Sequence, residues 1–257
     1  MISLKKIFAT SINKLLKIFD LRLVYNKDHI FNHNEFELKN IEISKHYSMT
    51  GEKRMSYLTK CIKFIHENNI NGDFVECGVW QGGNLILMER LNEYYGLKKT
   101  LYGYDTFEGM TKPNEFDLDI NNTKASIMLS NEKKIENFDK KNIWCFSGIE
   151  TVKKNFSKHT INNNLKLIKG DVTETLTDKK NIPKNISLLR LDTDFYESTK
   201  IELEILYPLV VKNGLIIIDD YGHWQGQKKA VDEFFREKNI KTFMFEVDHG
   251  CRIFLKD

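Results

Sequence analysis

Apolar and polar positions along this chain alternate between two rhythms. Short apolar runs recur at DFVEC (73–77), TLYGYD (100–105), LKLIKG (165–170), ISLLRLD (186–192) and GLIIIDD (214–220), each with the length and β-branched content of a buried strand. Between them lie stretches of three- and four-residue apolar spacing. These cover Glu52 to Asn69, carried by Met55, Leu58, Ile62 and Ile65, and then residues 84–96, 197–210 and 227–238. Strands alternating with helices predict an α/β fold with a parallel sheet between helical layers. KTFMFEV (241–247) and CRIFLK (251–256) predict a terminal hairpin that places one antiparallel strand in the sheet, giving a seven-stranded, mostly parallel sheet.

Some segments escape this alternation. Residues 21–50 are polar, rich in Asn and His and without a sustained period, and read as a connecting arm. Residues 106–164 hold an indistinct helix and the run IWCF (143–146), and read as an insertion or lid over a site. Near the N-terminus, Leu4, Ile7, Phe8, Ile12, Leu15, Leu16 and Phe19 recur at helical spacing with lysines between them. Such a stripe serves packing against the domain or a second subunit better than an interfacial membrane helix, because it is short and its basic residues are few. The expected organisation is a helix and arm over 1–50 and one domain over 51–257, working as a homodimer or higher homo-oligomer.

Composition narrows the field. The 39 basic and 36 acidic residues leave a formal charge of +3 over 257 residues, which gives no broad footprint for a nucleic-acid backbone. No apolar run reaches the roughly 18 residues of a membrane span, and the first twenty residues lack the continuous apolar core of a signal peptide. Membrane association is not expected. Cys61, Cys77, Cys145 and Cys251 lie far apart without a C-x-x-C pair, so a reducing cytoplasm is the expected location.

Two constellations carry candidate chemistry. The turn after the first strand, Glu76-Cys77-Gly78-Val79-Trp80-Gln81-Gly82-Gly83-Asn84, reads E-x-G-x-x-x-G-G and lacks the G-x-G-x-x-G of pyrophosphate-binding folds. An acid beside backbone amides suits a cofactor with an amino and a carboxylate group, and S-adenosylmethionine has both. Gly82 and Gly83 would clear the approach. Asp105 ends the second strand, where an acid can accept from both ribose hydroxyls, and Thr106 and Phe107 continue that loop. The plainer alternative is glycine used only to pack a helix on a strand. In the second constellation, LLRLDTD presents Asp192 and Asp194, and LIIIDDYGHW presents Asp219 and Asp220. On neighbouring strands these acids would meet in one crevice and need a cation. An all-oxygen set favours Mg2+ or another hard divalent ion such as Mn2+. His223 and Trp224 follow and would line a substrate pocket. Tyr196 and Lys200 have the Y-x-x-x-K spacing of NAD(P)-dependent short-chain oxidoreductases, but that family's glycine spacing and upstream serine are missing.

The blocks GDFVECGVWQGG (72–83), DTFEGM (105–110), LLRLDTDFYEST (188–199) and GLIIIDDYGHWQGQKKAVDEF (214–234) resemble, in order and spacing, those of the macrocin O-methyltransferase family. The resemblance covers roughly His46 to Asp257. It implies a sheet of the class I methyltransferase type, S-adenosylmethionine as cofactor and a sugar or nucleotide-sugar hydroxyl as acceptor. The cofactor residues it implies are Glu76, Cys77, Gly78, Gly82, Gly83, Asn84, Asp105, Thr106, Phe107, Gly170 and Asp171. It further implies Asp192, Asp219 and Asp220 as metal ligands and Asp194 as general base; with His223, read from its place after the second acidic pair, Asp194 and Asp192 form the expected catalytic set. A catalytically silent member that binds cofactor is the other reading of the same blocks. Only three alanines, among many Asn, Lys and Ile, suggest an AT-rich genome and a surface-polysaccharide precursor, with secondary metabolites as the alternative.

Overall fold

The computed structural model describes residues 32–136, 140–161 and 164–257. The stripe over residues 4–19 lies outside them. Five parallel strands form the body of the sheet: β1 (Asp73–Cys77), β2 (Leu101–Asp105), β3 (Leu165–Lys169), β4 (Ile186–Leu191) and β5 (Val210–Ile218). The hairpin of β6 (Phe245–Glu246) and β7 (Arg252–Leu255) completes it in the order β3-β2-β1-β4-β5-β7-β6. β7 runs antiparallel to both its neighbours, as the terminal pattern predicts, although only two residues of the 241–247 run pair.

Strand alternation divides the core between the two faces of the sheet. Phe74, Leu188 and Ile217 pack on one side, with Met55, Ile62 and Ile65 of α2 (Glu52–Glu67) and Leu85, Met88 and Leu91 of α3 (Gly83–Tyr94). Val75, Leu189 and Ile216 pack on the other, with Leu203 and Leu206 of α7 (Tyr196–Leu206) and Val231 and Phe234 of α8 (Gln225–Glu237). No helix among the described residues is long and apolar enough to cross a membrane.

The arm expected over 21–50 contains a helix instead, α1 (Glu35–Ser44), packed on α3. Its buried face is polar apart from Ile41: Glu37, Asn40 and Ser44 point inward, so no apolar period marks it. Glu37 is buried because it is saturated. It accepts from the Asn34 amide and the Tyr95 hydroxyl, and lies 2.8 Å from Nδ1 of His33, whose Nε2 is 2.6 Å from the Ser56 hydroxyl. A capping box formed by Asn34 and Glu37 starts the helix.

Of the stretch expected as an insertion or lid, residues 106–136 and 140–148 form a cap holding α4 (Ala125–Ser130), with the IWCF run irregular, while α5 (Ile149–His159) packs Val152 and Phe156 into the main core beside α3. Ala125 and Leu129 of the cap pack with Phe195 and Trp224 in a small core of their own. The buried Asp117 ties the cap down, accepting from the amide of Tyr196 at 2.8 Å and from that of Asn114 at 2.7 Å. The remaining short helix, α6 (Val172–Thr175), follows β3 and is capped by Asp171.

Candidate active site

The carboxyl ends of the five parallel strands open into one cavity of about 580 Å³, roofed by the cap. The loops after β1, β2 and β3 contribute Gly78, Trp80, Asp105, Thr106 and Gly170 to its wall. Those after β4 and β5 contribute Asp192, Asp194, Asp219, Asp220, His223 and Trp224. Both constellations found in the sequence therefore border the same space, as strand-end placement requires.

The glycine turn is held from beneath. Asp105 Oδ2 accepts from the amides of Val79 at 2.7 Å and Trp80 at 3.0 Å, and Oδ1 accepts from the amide of Phe107 at 2.7 Å. Burial pushes this carboxyl above its ordinary value, against the pull of those amides. Trp80 and Phe107 adopt φ of +48° and +51°, in the left-handed region that costs a non-glycine residue on the order of 1–3 kcal/mol. Asp105 thus braces two strained loops. A Cβ on Gly78 would lie 2.0 Å from the carbonyl oxygen of Asp192, and the Asp192 amide donates to Cys77 O at 2.8 Å, so this turn and the acid-bearing loop are in backbone contact.

The structure redistributes the other turn residues. A Cβ on Gly83 would meet Ser44 O at 2.6 Å and Tyr47 C at 2.7 Å, so this glycine admits the segment after α1. A Cβ on Gly82, at φ +87°, would lie 3.1 Å from Val152 Cγ1 of α5. Asn84 donates to Thr50 Oγ1 at 3.0 Å. None of these three lines the cavity, and neither do Cys77, Phe107 and Asp171. Glu76 is also withdrawn from it: fully buried, its Oε1 accepts from Arg190 Nη1 at 2.7 Å. Burial pushes the Glu76 carboxyl up to about 7, against the pull of Arg190 and Asn84.

The four acids separate into two environments. Asp192, Asp194 and Asp220 bring carboxylate oxygens within 4.8 Å of one another, a spacing that fits a single hard cation. Burial, then mutual repulsion among the carboxylates, pushes Asp192 and Asp194 well above the usual range, with Arg190 opposing the rise at Asp192. Asp194 also sits at φ +67°. Asp219, expected as a ligand beside Asp192 and Asp220, is 3% exposed and lies between two guanidinium groups. Arg54 Nη1 is 2.6 Å from its Oδ2 and Arg190 Nη2 is 2.8 Å from its Oδ1. Burial alone would raise its pKa, but the two arginines reverse this and hold it below the usual value.

Several supporting residues went unnoticed in the sequence. Arg54 of α2 is fixed by Asp248 of the terminal hairpin, with Nε–Oδ2 at 2.8 Å. Glu202 of α7 is buried beneath the acid loop and accepts from the Thr193 hydroxyl at 3.0 and 3.1 Å. Burial pushes it up to about 8, against the pull of Thr193 and Cys77. Gln227 of α8 accepts from the Asp220 amide at 2.8 Å. The signal available was a polar residue on an otherwise apolar face, as at Glu202 beside Leu203 and Leu206, or a charge inside a strand, as at Arg190. Tyr196 and Lys200 belong to no site here: the tyrosine hydroxyl donates to Glu233 at 2.7 Å, and neither residue lines the cavity.

Comparison with known proteins identifies the family and matches the fold. The family described as Macrocin-O-methyltransferase (TylF) matches residues 40–256. Demethyldecarbamoylnovobiocin O-methyltransferase of Streptomyces niveus is 28% identical over 204 residues, covering 79% of this chain and 72% of that protein. The 8-demethyl-8-(2,3-dimethoxy-alpha-L-rhamnosyl)-tetracenomycin-C 4'-O-methyltransferase of Streptomyces olivaceus is 29% identical over 210 residues, covering 81% and 74%. Among solved structures, the O-methyltransferase NovP superposes with a TM-score of 0.70 at 27% identity over 82% of each chain. The SAH-bound methyltransferase PaMTH1 of Podospora anserina shares the fold at a TM-score of 0.53 and 13% identity, over 92% of this chain and 99% of that one.

Proposed function

The chain belongs to the macrocin O-methyltransferase family, and on that premise we propose that it transfers the methyl group of S-adenosylmethionine to a sugar hydroxyl, assisted by a divalent cation. The observation that carries this reading is the meeting, in one cavity, of a braced glycine turn and three carboxylates within 4.8 Å of one another. The relative from Streptomyces olivaceus carries a rhamnosyl group in the name of its substrate, which supports a sugar acceptor. Within that class we favour a surface-polysaccharide precursor, on the low alanine content of the chain.

When bound, the cofactor supplies an electrophilic methyl group and the cation lowers the pKa of the acceptor hydroxyl. The chain's own residues have separate tasks. Asp105 holds the turn that shapes the cofactor end of the cavity, and Gly78, Thr106 and Gly170 leave room there. Asp192 and Asp220 would hold the ion. Asp194, on the same loop as Asp192, accepts the hydroxyl proton as general base. His223 and Trp224 border the acceptor end, and the cap excludes water. Asp219 keeps its arginines and sets the charge around the floor.

Asp194→Asn tests the division of labour. Turnover on a nucleotide-linked sugar panel should fall by about 10²–10⁴-fold, the usual consequence of losing a general base. Affinity for S-adenosylhomocysteine should stay within about threefold, since Asp194 belongs to the acid loop after β4 and not to the glycine turn or the loop after β2. Undiminished turnover by this variant, or full activity of the parent enzyme in chelator, would refute the mechanism.

A further inference from the structure

Arg190 stands near the carboxyl end of a central strand, between Leu189 and Leu191, and is 1% exposed. A guanidinium is among the costliest groups to take out of water, so its place needs a reason beyond filling space. It does not line the cavity, yet its planar fork touches four groups around the floor. Nη1 reaches Glu76 at 2.7 Å and Asp192 at 2.8 Å, while Nη2 reaches Thr50 Oγ1 at 2.9 Å and Asp219 at 2.8 Å. Glu76 is its direct register partner on β1, and Asp192 lies two residues further along the course of β4. The fork therefore spans from a fixed point on the neighbouring strand to two acids at the strand ends.

We infer that Glu76 and Arg190 act as one positioning unit for the acid floor: Glu76 orients the guanidinium, and the guanidinium sets the carboxylates of Asp192 and Asp219. This rests on the proposed function in that the floor holds a cation. It removes Glu76 from the cofactor contacts expected of the acid before a glycine turn. Two features support it. Glu76 is wholly buried and turned to Arg190, and the rigid fork fixes direction as well as charge, which a lysine in the same place cannot do.

The test is Arg190→Lys in the full chain, which keeps the positive charge and removes the fork. Electrostatic attraction for an incoming ion is thus held nearly constant while the geometry is lost. Mn2+ binding, followed by electron paramagnetic resonance of the free ion, should weaken about tenfold or more. S-adenosylhomocysteine affinity, by calorimetry, should stay within about twofold. Should Arg190→Lys fail to fold, Glu76→Gln keeps the shape and one acceptor but weakens the hold on the guanidinium, and should raise the Mn2+ dissociation constant about threefold with cofactor affinity unchanged. A folded variant binding Mn2+ as tightly as the parent would overturn the positioning role. So would cofactor affinity lost in step with Mn2+, and a Glu76→Gln protein impaired only in cofactor binding would return Glu76 to the cofactor. If the parent protein itself binds no Mn2+, the metal reading fails first, and that result is distinct from the others.

Discussion

Asp105→Asn separates bracing from recognition. In the folded chain the Asp105 carboxylate accepts three backbone amides at 2.7–3.0 Å. An asparagine of the same shape has only one oxygen. Placed toward Val79 and Trp80, it keeps two bonds in weaker, uncharged form and turns its amide against the N–H of Phe107. Losing one charge-assisted bond and exposing a buried donor costs about 1.5–3 kcal/mol, and weakening the other two adds roughly 1 kcal/mol. Two of the three donors belong to residues held at positive φ, Trp80 and Phe107, so relaxation of the loops would follow. For a chain of this length a total of about 3 kcal/mol lowers Tm by roughly 6–12 °C. Thermal unfolding followed by circular dichroism, with calorimetry of S-adenosylhomocysteine binding, measures both consequences. The brace predicts that Tm and cofactor affinity fall together. A variant that melts within about 2 °C of the parent while losing the cofactor would refute the brace and leave Asp105 as a ribose ligand alone.

Other substitutions and conditions give equally definite expectations. Gly83→Ala drives a methyl into the backbone of Ser44 and Tyr47 and should cost about 1–3 kcal/mol in denaturant titration, with cofactor affinity unchanged. Glu202, pushed up to about 8 chiefly by burial against the pull of Thr193 and Cys77, is protonated in the folded chain at pH values where it ionises in the unfolded one. Its contribution to stability is therefore fully present below about pH 4.5 and lost as pH rises toward about 8, and Glu202→Gln should flatten that part of a Tm–pH curve. Asp248 has the opposite sign. Burial raises its pKa, but the bonds from Arg54, Cys251 and Gly250 outweigh this and hold it at about 2, so its contribution is present above the ordinary carboxylate value and lost as pH falls through about 2. Asp248→Asn should reduce the slope of acid unfolding in that window.

The central strands were legible as short runs rich in apolar residues, and β1 matches its run in full. α2, α3, α7 and α8 were legible from their apolar stripes, whereas α5, with only Val152 and Phe156 buried, was not. α1 was not, because its buried positions are Glu37, Asn40 and Ser44, paired by hydrogen bonds that no hydrophobic period records. At the candidate site, the sequence indicates which loops converge but not which atoms face inward. Glu76 and Asp105 both precede or follow glycines at strand ends, yet one turns to Arg190 and the other to backbone amides. Four adjacent-looking acids likewise gave no sign that Asp219 alone would sit between two arginines. One of these, Arg54, comes from a helix 165 residues away in sequence, where one charge within the run Glu52-Lys53-Arg54 carries no mark.

That distance bears on how the protein comes to exist. The Arg54–Asp219 and Arg54–Asp248 contacts close loops of 165 and 194 residues, so they rank among the most non-local bonds in the fold. During synthesis, α2 leaves the ribosome long before its partners, and Asp219 and Asp220 emerge before the hairpin that clamps Arg54. Arg190 is held by Glu76 from the neighbouring strand, whereas Arg54 is held by Asp248 of the terminal hairpin. The electrostatic balance of the floor therefore joins one local counter-charge to one that depends on the far end of the fold.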